Sequence, residues 1–268
     1  MAAPLPSRGV ILVYENVIVE RGPVGHLTLN RPQARNALNG PHMRDILAAL
    51  RELETAAEVR VIVVKGAGRG FCAGADIHQF LGKKPMEARE HLKQVAEIIE
   101  TIAKLPKPVI AQVHGFALAG GCGLAAACDL TFAAEDARFG LPEIKIGLWP
   151  HTVMAPILRA VPRKIGLEYF FSGEPFDGQE AARIGLANRA VPADQLESTV
   201  TQFAETLAKQ SPVAMQLGKD AFYTMADMEY FKSLRYLREM ITLHTLTDDG
   251  QEGPRAWGEK REPQWTGL

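Results

Sequence analysis

A chain of 268 residues can form one large domain or a domain with an appendage. Its apolar fraction of 47%, charged fraction of 23% and net charge of −1 (30 Lys and Arg against 31 Asp and Glu) suit a globular enzyme and give no basic excess for nucleic acid. The first ten residues lack the basic-then-apolar pattern of a signal segment, and the apolar run behind them is too short to span a bilayer, so a cytoplasmic protein with no membrane partner is expected.

Strand patterns occur at Val10–Tyr14, Val17–Glu20 and His26–Leu29, then at Val59–Lys65, Val109–Val113 and Leu130–Ala134. Between the third and fourth, a helix begins near Pro41, a residue suited to a first helical turn. Met43, Ile46, Leu47, Leu50 and Leu53 recur there at helical spacing. A second helix is predicted from about Pro85 to Leu105, with Leu92, Val95, Ile98, Ile99 and Ile102 on one face. Strands separated by helices favour crossover units over a meander. From residue 195 onward strand signals stop, and Gln195–Lys209, Val213–Ala226 and Glu229–Leu246 read as helices. The expected division is an α/β core over residues 10–194 and a helical region over 195–268. Cys72, Cys122 and Cys128 form no C-x-x-C pair and lie among small apolar residues, as buried reduced thiols do.

Two glycine-rich segments carry the chemical signal, Gly70-Phe-Cys-Ala-Gly-Ala-Asp76 and His114-Gly-Phe-Ala-Leu-Ala-Gly-Gly-Cys-Gly123. Each follows a strand pattern, and the second opens a small-residue helix at Leu124–Cys128. Amides at a helix start lack intrahelical acceptors and sit at the positive dipole end, so they attract developing negative charge. Two amides converging on one carbonyl oxygen would make an oxyanion hole. The same glycines also serve tight turns and close packing. Gly66-Ala-Gly-Arg-Gly70 is no dinucleotide fingerprint, because its third glycine comes one position early and no clear helix follows. The Gly-x-Ser-x-Gly elbow of serine hydrolases is absent.

Asn30-Arg-Pro-Gln-Ala-Arg-Asn-Ala-Leu38, Phe71-Cys-Ala-Gly-Ala-Asp76, Gly115-Phe-Ala-Leu-Ala-Gly-Gly-Cys122, Cys128-Asp129, Phe139-Gly-Leu-Pro-Glu143 and Gly147 match, in order, motifs of the crotonase (enoyl-CoA hydratase/isomerase) superfamily. Ser172-Gly-Glu-Pro and Ala181-Ala-Arg-Ile-Gly-Leu-Ala187 continue the match, so the chain resembles that family from about residue 10 onward. The resemblance implies an α/β fold, a spiral of ββα units with a helical C-terminal trimerisation region, assembled as a homotrimer or hexamer. It implies an acyl-CoA thioester as substrate, a place in fatty acid metabolism, and no metal or redox cofactor. By motif position, the amides of Ala73 and Gly120 would hold the thioester oxygen. Ala34, Arg35, Ala37, Ala75, Asp76, Ile77 and Gly121 would line the coenzyme A channel, and Trp149 would shape the acyl pocket. Arg31, Arg35 and Lys260 are candidate phosphate contacts.

The match departs at one chemical position. Hydratases of the family use two glutamates, and here only Glu143 is present, with Gly123 at the other position. Hydration needs one group to hold and deprotonate a water and a proton delivered to the neighbouring carbon. A single carboxylate suits proton transfer between two carbons, as in the family's isomerases. His151, eight residues past Glu143, is a candidate second acid/base, and so is His78, which follows the Ala-Gly-Ala-Asp motif. Asp129 reads as a buried structural carboxylate. Weak or specialised hydration, and acyl-CoA binding without turnover, stay open beside the isomerase reading.

Overall fold

The strand patterns join in a sheet that follows the chain. In the computed structural model, which describes residues 10–76, 82 and 84–268, β1 (Ile11–Val13), β2 (Val17–Glu20) and β3 (Val24–Leu29) form an antiparallel meander at one edge. Four parallel strands extend it: β4 (Val61–Gly66), β5 (Val109–Val113), β7 (Leu130–Ala134) and β9 (Arg189–Val191). The central strands are continuous apolar runs, as sheets covered on both faces require. A second, two-stranded parallel sheet pairs β6 (Phe116–Leu118) with β8 (Arg138–Gly140).

These two sheets give the expected spiral its pitch. The chain leaves a strand of the large sheet, passes through the small one and returns along a helix. Thus β5 leads to β6 and α3 (Gly120–Ala127), while β7 leads to β8 and then α4 (His151–Ala160). One turn earlier, Cys72 bridges Ala117 in parallel before α2 (Pro85–Lys104). The strands β6 and β8 escape sequence reading because three residues cannot display a period. The small-residue helix starts at Gly120, four residues before its expected beginning, because the glycines that signal a turn are themselves its first turn.

The helix α1 (Gly40–Thr55) buries Met43, Ile46, Leu47, Leu50 and Leu53, and its N-cap Asn39 accepts a hydrogen bond from the His42 amide. On α2, Val95, Ile98 and Ile102 are buried as expected, whereas Leu92 is 44% exposed. The helices α5 (Arg163–Ser172) and α6 (Gly178–Arg183) precede β9.

The C-terminal helices divide in role. The first, α7 (Leu196–Ala208), lies on β3, β4, β5 and β7, with Phe203 and Leu207 against the core. It is part of the sheet's covering layer. Next come α8 (Pro212–Met225), α9 (Tyr230–His244) and α10 (Asp248–Glu259). Pro254 and three glycines hide α10 from propensity reading. Lys219 on α8 reaches into the core, donating to Asp129 Oδ2 at 2.7 Å and to the carbonyls of Ile102 and Lys107. Asp129 also accepts from the Val109 amide at 2.7 Å and the Tyr223 hydroxyl at 3.0 Å, the structural role expected of it. Outside this anchor, Phe222, Tyr230, Phe231, Leu234, Ile241 and Leu246 expose apolar surface on α8, α9 and the turn beyond. Among the described residues no helix is long and apolar enough to cross a membrane.

Candidate active site

In open parallel sheets, ligands bind beyond the carboxyl ends of the strands. Four segments follow the strands there: residues 30–39 after β3, 67–76 after β4, the stretch from 114 through β6 to 119 after β5, and 141–150 after β8.

The first two loops are joined by Asn36. It is 1% exposed and left-handed (φ 55°), a conformation that asparagine tolerates better than most residues. Its Oδ1 accepts from the Arg31 amide at 2.9 Å. Its Nδ2 lies 2.9, 2.9 and 3.0 Å from the carbonyls of Ala67, Gly70 and Phe71. Removing this side chain strands buried carbonyls, so Asn36→Ala should destabilise the fold by about 2 kcal/mol, measured by denaturant unfolding. Sequence reading passed over Asn36, although an asparagine flanked by two turn-forming stretches is the available signal.

The bond pattern reassigns one expected donor. The Ala73 amide donates to the Arg35 carbonyl at 3.0 Å and is not free for a ligand. Leu38 and residues 74–76 form a parallel bridge, with Leu38 N–H to the Gly74 carbonyl (2.8 Å) and Asp76 N–H to the Leu38 carbonyl (3.1 Å). That pattern turns the Ala75 amide away from Leu38, and it has no backbone acceptor among the described residues. A Cβ placed on Gly120 would stand 3.5 Å from the Ala75 nitrogen, so these two amides are the neighbours, and the pairing of Ala73 with Gly120 is revised to Ala75 with Gly120. The alternation of the bridge selects Ala75, and this long-range pairing has no local signature.

Glycine permits the approach. Gly74 has φ +91°, and a Cβ there would lie 2.7 Å from the Leu118 carbonyl and 2.8 Å from the Gly120 nitrogen. Ala119, the residue before α3, holds φ 52° and ψ −124°, a strained state for a residue with a Cβ. Such strain clusters at binding sites. Its amide donates to the Gly140 carbonyl at 2.8 Å, which fixes the start of α3 against the segment leading to Glu143. Gly121 is buried with its Cα against the Cys72 carbonyl, so it packs α3 onto the second loop.

Glu143 lies in a short 3-10 turn, Pro142–Ile146, closed by Gly147 at φ 76°. Its Oε2 is buried and has no hydrogen-bond partner among the described residues. Burial holds its carboxyl above the ordinary 4.5, against the opposing effect of its own backbone amide. Its charge adds to burial in pushing the Cys122 thiol up to about 12, which sets Glu143 beside α3 and leaves Cys122 an inert thiol.

The other expected residues are distributed as follows. Arg35 is exposed, with its guanidinium 4.8 Å from the Phe116 ring centre. Ala34 and Ala37 lie on the same loop, the Ala37 amide bonding the Ala34 carbonyl at 3.0 Å. The Arg31 guanidinium is committed to the Ala37 carbonyl at 2.6 Å, which also meets the buried His42 ring at 3.1 Å. Burial lowers His42 to about 4, so it is a neutral strut. Trp149 stacks on Phe170 (5.5 Å) and packs against Phe171 (5.2 Å). His151 is exposed at the first position of α4. Lys260 is the left-handed cap of α10. Ile77 and His78 lie outside the described residues. Among those described, no cluster of three or more His, Cys, Asp or Glu side chains has metal-binding geometry.

Comparison with known proteins gives the chain its family. The enoyl-CoA hydratase/isomerase family profile matches residues 20–268. A probable enoyl-CoA hydratase of Mycobacterium tuberculosis is 37% identical over 260 residues, covering 95% of this chain and 99% of that protein. The 2,3-dehydroadipyl-CoA hydratase of Escherichia coli is 34% identical over 242 residues, covering 90% and 94%. Among solved structures, an enoyl-CoA hydratase of Mycobacterium smegmatis superposes with a TM-score of 0.91 at 31% identity, covering 94% of this chain and 99% of the other. With the profile spanning the α/β spiral and the C-terminal helices alike, this chain belongs to the enoyl-CoA hydratase/isomerase family.

Proposed function

We propose that the protein moves a double bond along an acyl-CoA chain, with Glu143 as the single acid/base and the amides of Ala75 and Gly120 as the oxyanion hole. The observation that carries this reading is a buried carboxylate oxygen that has no hydrogen-bond partner among the described residues, on the segment tied to the start of α3, where the neighbouring amides of Ala75 and Gly120 have no backbone acceptor among those residues. On a 3-enoyl-CoA, Glu143 takes a proton from C2. The electron pair spreads into a dienolate whose oxygen accepts from the two amides, and the proton returns at C4, leaving a 2-enoyl-CoA. A carboxylate whose pKa is raised by burial is a stronger base, which suits a weakly acidic C–H bond.

Thioester binding follows the loops. The exposed Arg35, steadied on Phe116, would contact a coenzyme A phosphate. Arg31 is occupied by Ala37 and is the weaker candidate. Coenzyme A enters as part of the substrate, and the reading invokes no separate cofactor.

A second reading, specialised hydration with His151 or an ordered water completing the acid/base pair, draws its support from relatives that carry the hydratase name. Purified protein offered 2-enoyl-CoA and 3-enoyl-CoA separately, with thioester binding followed by calorimetry, distinguishes the two. Migration without hydration is the expected result. Hydration alone would replace it with the second reading, and binding without turnover would leave an acyl-CoA binder.

The acid limb of the pH profile tests the same carboxylate. Glu143 must be ionised to accept a proton, so kcat/KM should fall as pH drops through its folded pKa. Because burial raises that pKa, the limb should lie above 4.5. We further propose that the apolar face carrying Phe231, Leu234 and Ile241 is covered in a trimer or a dimer of trimers, which light scattering would test.

A further inference from the structure

Residue 123 sits one helical turn beyond Gly120, so the two share a face of α3, and Cys122 between them feels the charge of Glu143. A side chain on residue 123 would start beside the reacting centre. That place is taken: a Cβ built on Gly123 would lie only 2.1 Å from the Cγ1 and 2.2 Å from the Cβ of Val153, which projects from α4 and is 4% exposed. We propose that Val153 sets reaction specificity by filling this space, walling the α3 side of the Glu143 site with hydrocarbon so that it holds no water for addition. The inference rests on the proton-transfer reading above and adds what selects against its rival.

The chemistry needs this distinction. In migration the proton leaves one carbon and returns to another, and one carboxylate carries it throughout. In hydration a water gives one proton to a base as its oxygen bonds C3, and C2 gains a proton, so the site must hold a water against the chain. Water is held by two to four polar partners. Gly123 has no side chain, and Val153 offers only methyl groups. The two positions therefore form a matched pair: Gly123 lets α4 close onto α3, and Val153 fills the gap.

The packing can be tested without substrate. In an unobstructed helix interior, glycine to alanine is stabilising by up to about 1 kcal/mol. Here Gly123→Ala should instead lower the melting temperature by about 5 °C, because the added carbon overpacks the α3–α4 contact. Val153→Gly in the same chain should recover most of that loss, since even the Val153 Cβ stands in the way. A higher melting temperature for Gly123→Ala, or no coupling with Val153→Gly, overturns the proposal.

The specificity arm uses Gly123→Glu combined with Val153→Gly, which provides a second carboxylate and the room for it. Hydration of 2-enoyl-CoA should rise about 100-fold over wild type, the lower end of what a positioned acid/base contributes. A folded, thioester-binding double variant with no gain in hydration overturns the proposal, as does robust hydration by the wild type. Absence of both reactions in the wild type would instead remove the proton-transfer reading, while the melting experiment still decides the packing.

Discussion

Glu143→Gln should reduce double-bond migration by about 100- to 10,000-fold, the range a positioned acid/base supplies, while calorimetric thioester binding stays within a few fold. The amide keeps the shape of the carboxylate and cannot take a proton from carbon. Binding should persist because the substitution leaves the Arg35 loop and the amides of Ala75 and Gly120 unaltered. Loss of folding can be separated from loss of chemistry by the direction of the stability change. Burial raises the folded pKa of Glu143 above its unfolded value. Its contribution to stability is therefore fully present below the unfolded pKa and is lost as pH rises through the folded pKa. Above the folded pKa the wild type holds a buried charge that the glutamine variant lacks, so there the variant should melt at or above the wild-type temperature. A variant that still migrates the double bond at more than a tenth of the wild-type rate, by spectrophotometric assay, would remove Glu143 from the mechanism.

The largest stability effect is expected at Lys219. Its side chain is 8% exposed, and its ammonium is shared between Asp129 and two backbone carbonyls. Burial lowers its pKa, and the Asp129 charge and hydrogen bond oppose that shift. Lys219→Met deletes the cation and leaves Asp129 inside with, among the described residues, only the Val109 amide and the Tyr223 hydroxyl. Breaking one side of a buried pair costs about 3–5 kcal/mol, so the melting temperature should fall by on the order of 10 °C. Replacing both partners by apolar residues should cost less than the two single losses together, because no orphaned charge remains. A fall of only about 1–2 °C for Lys219→Met would show that water reaches the pair and screens it.

The parts of this fold that were legible in the sequence are those whose signal is local. The apolar spacing of Met43 to Leu53, the runs Val109–Val113 and Leu130–Ala134, and the three helices beyond residue 195 each follow from one stretch of chain. The motif order identified the family before any coordinate did. What escaped depends on contacts between distant stretches. Which amide of Ala73-Gly-Ala75 is free is decided by Leu38, more than thirty residues away, through a bridge that no spacing rule contains. Asn36 acts through carbonyls 31 to 35 residues downstream. Val153 is one apolar residue in an amphipathic helix until α3 is laid against it. The exposed position of His151 likewise follows from how α4 docks.

The span of the Asn36 bonds has a kinetic meaning. Contacts spanning 31 to 35 residues require loop closure before they return any free energy, so they should form after the local helices. The candidate site should therefore be absent from a nascent or partly folded chain that lacks the β3–β4 pairing. Interactions absent from the transition state act on the exit rate, so loosening this clamp should shorten the lifetime of the native state and leave the rate of its formation nearly unchanged. The site's two halves then separate first when the protein opens, and a bound thioester that bridges them would slow that opening.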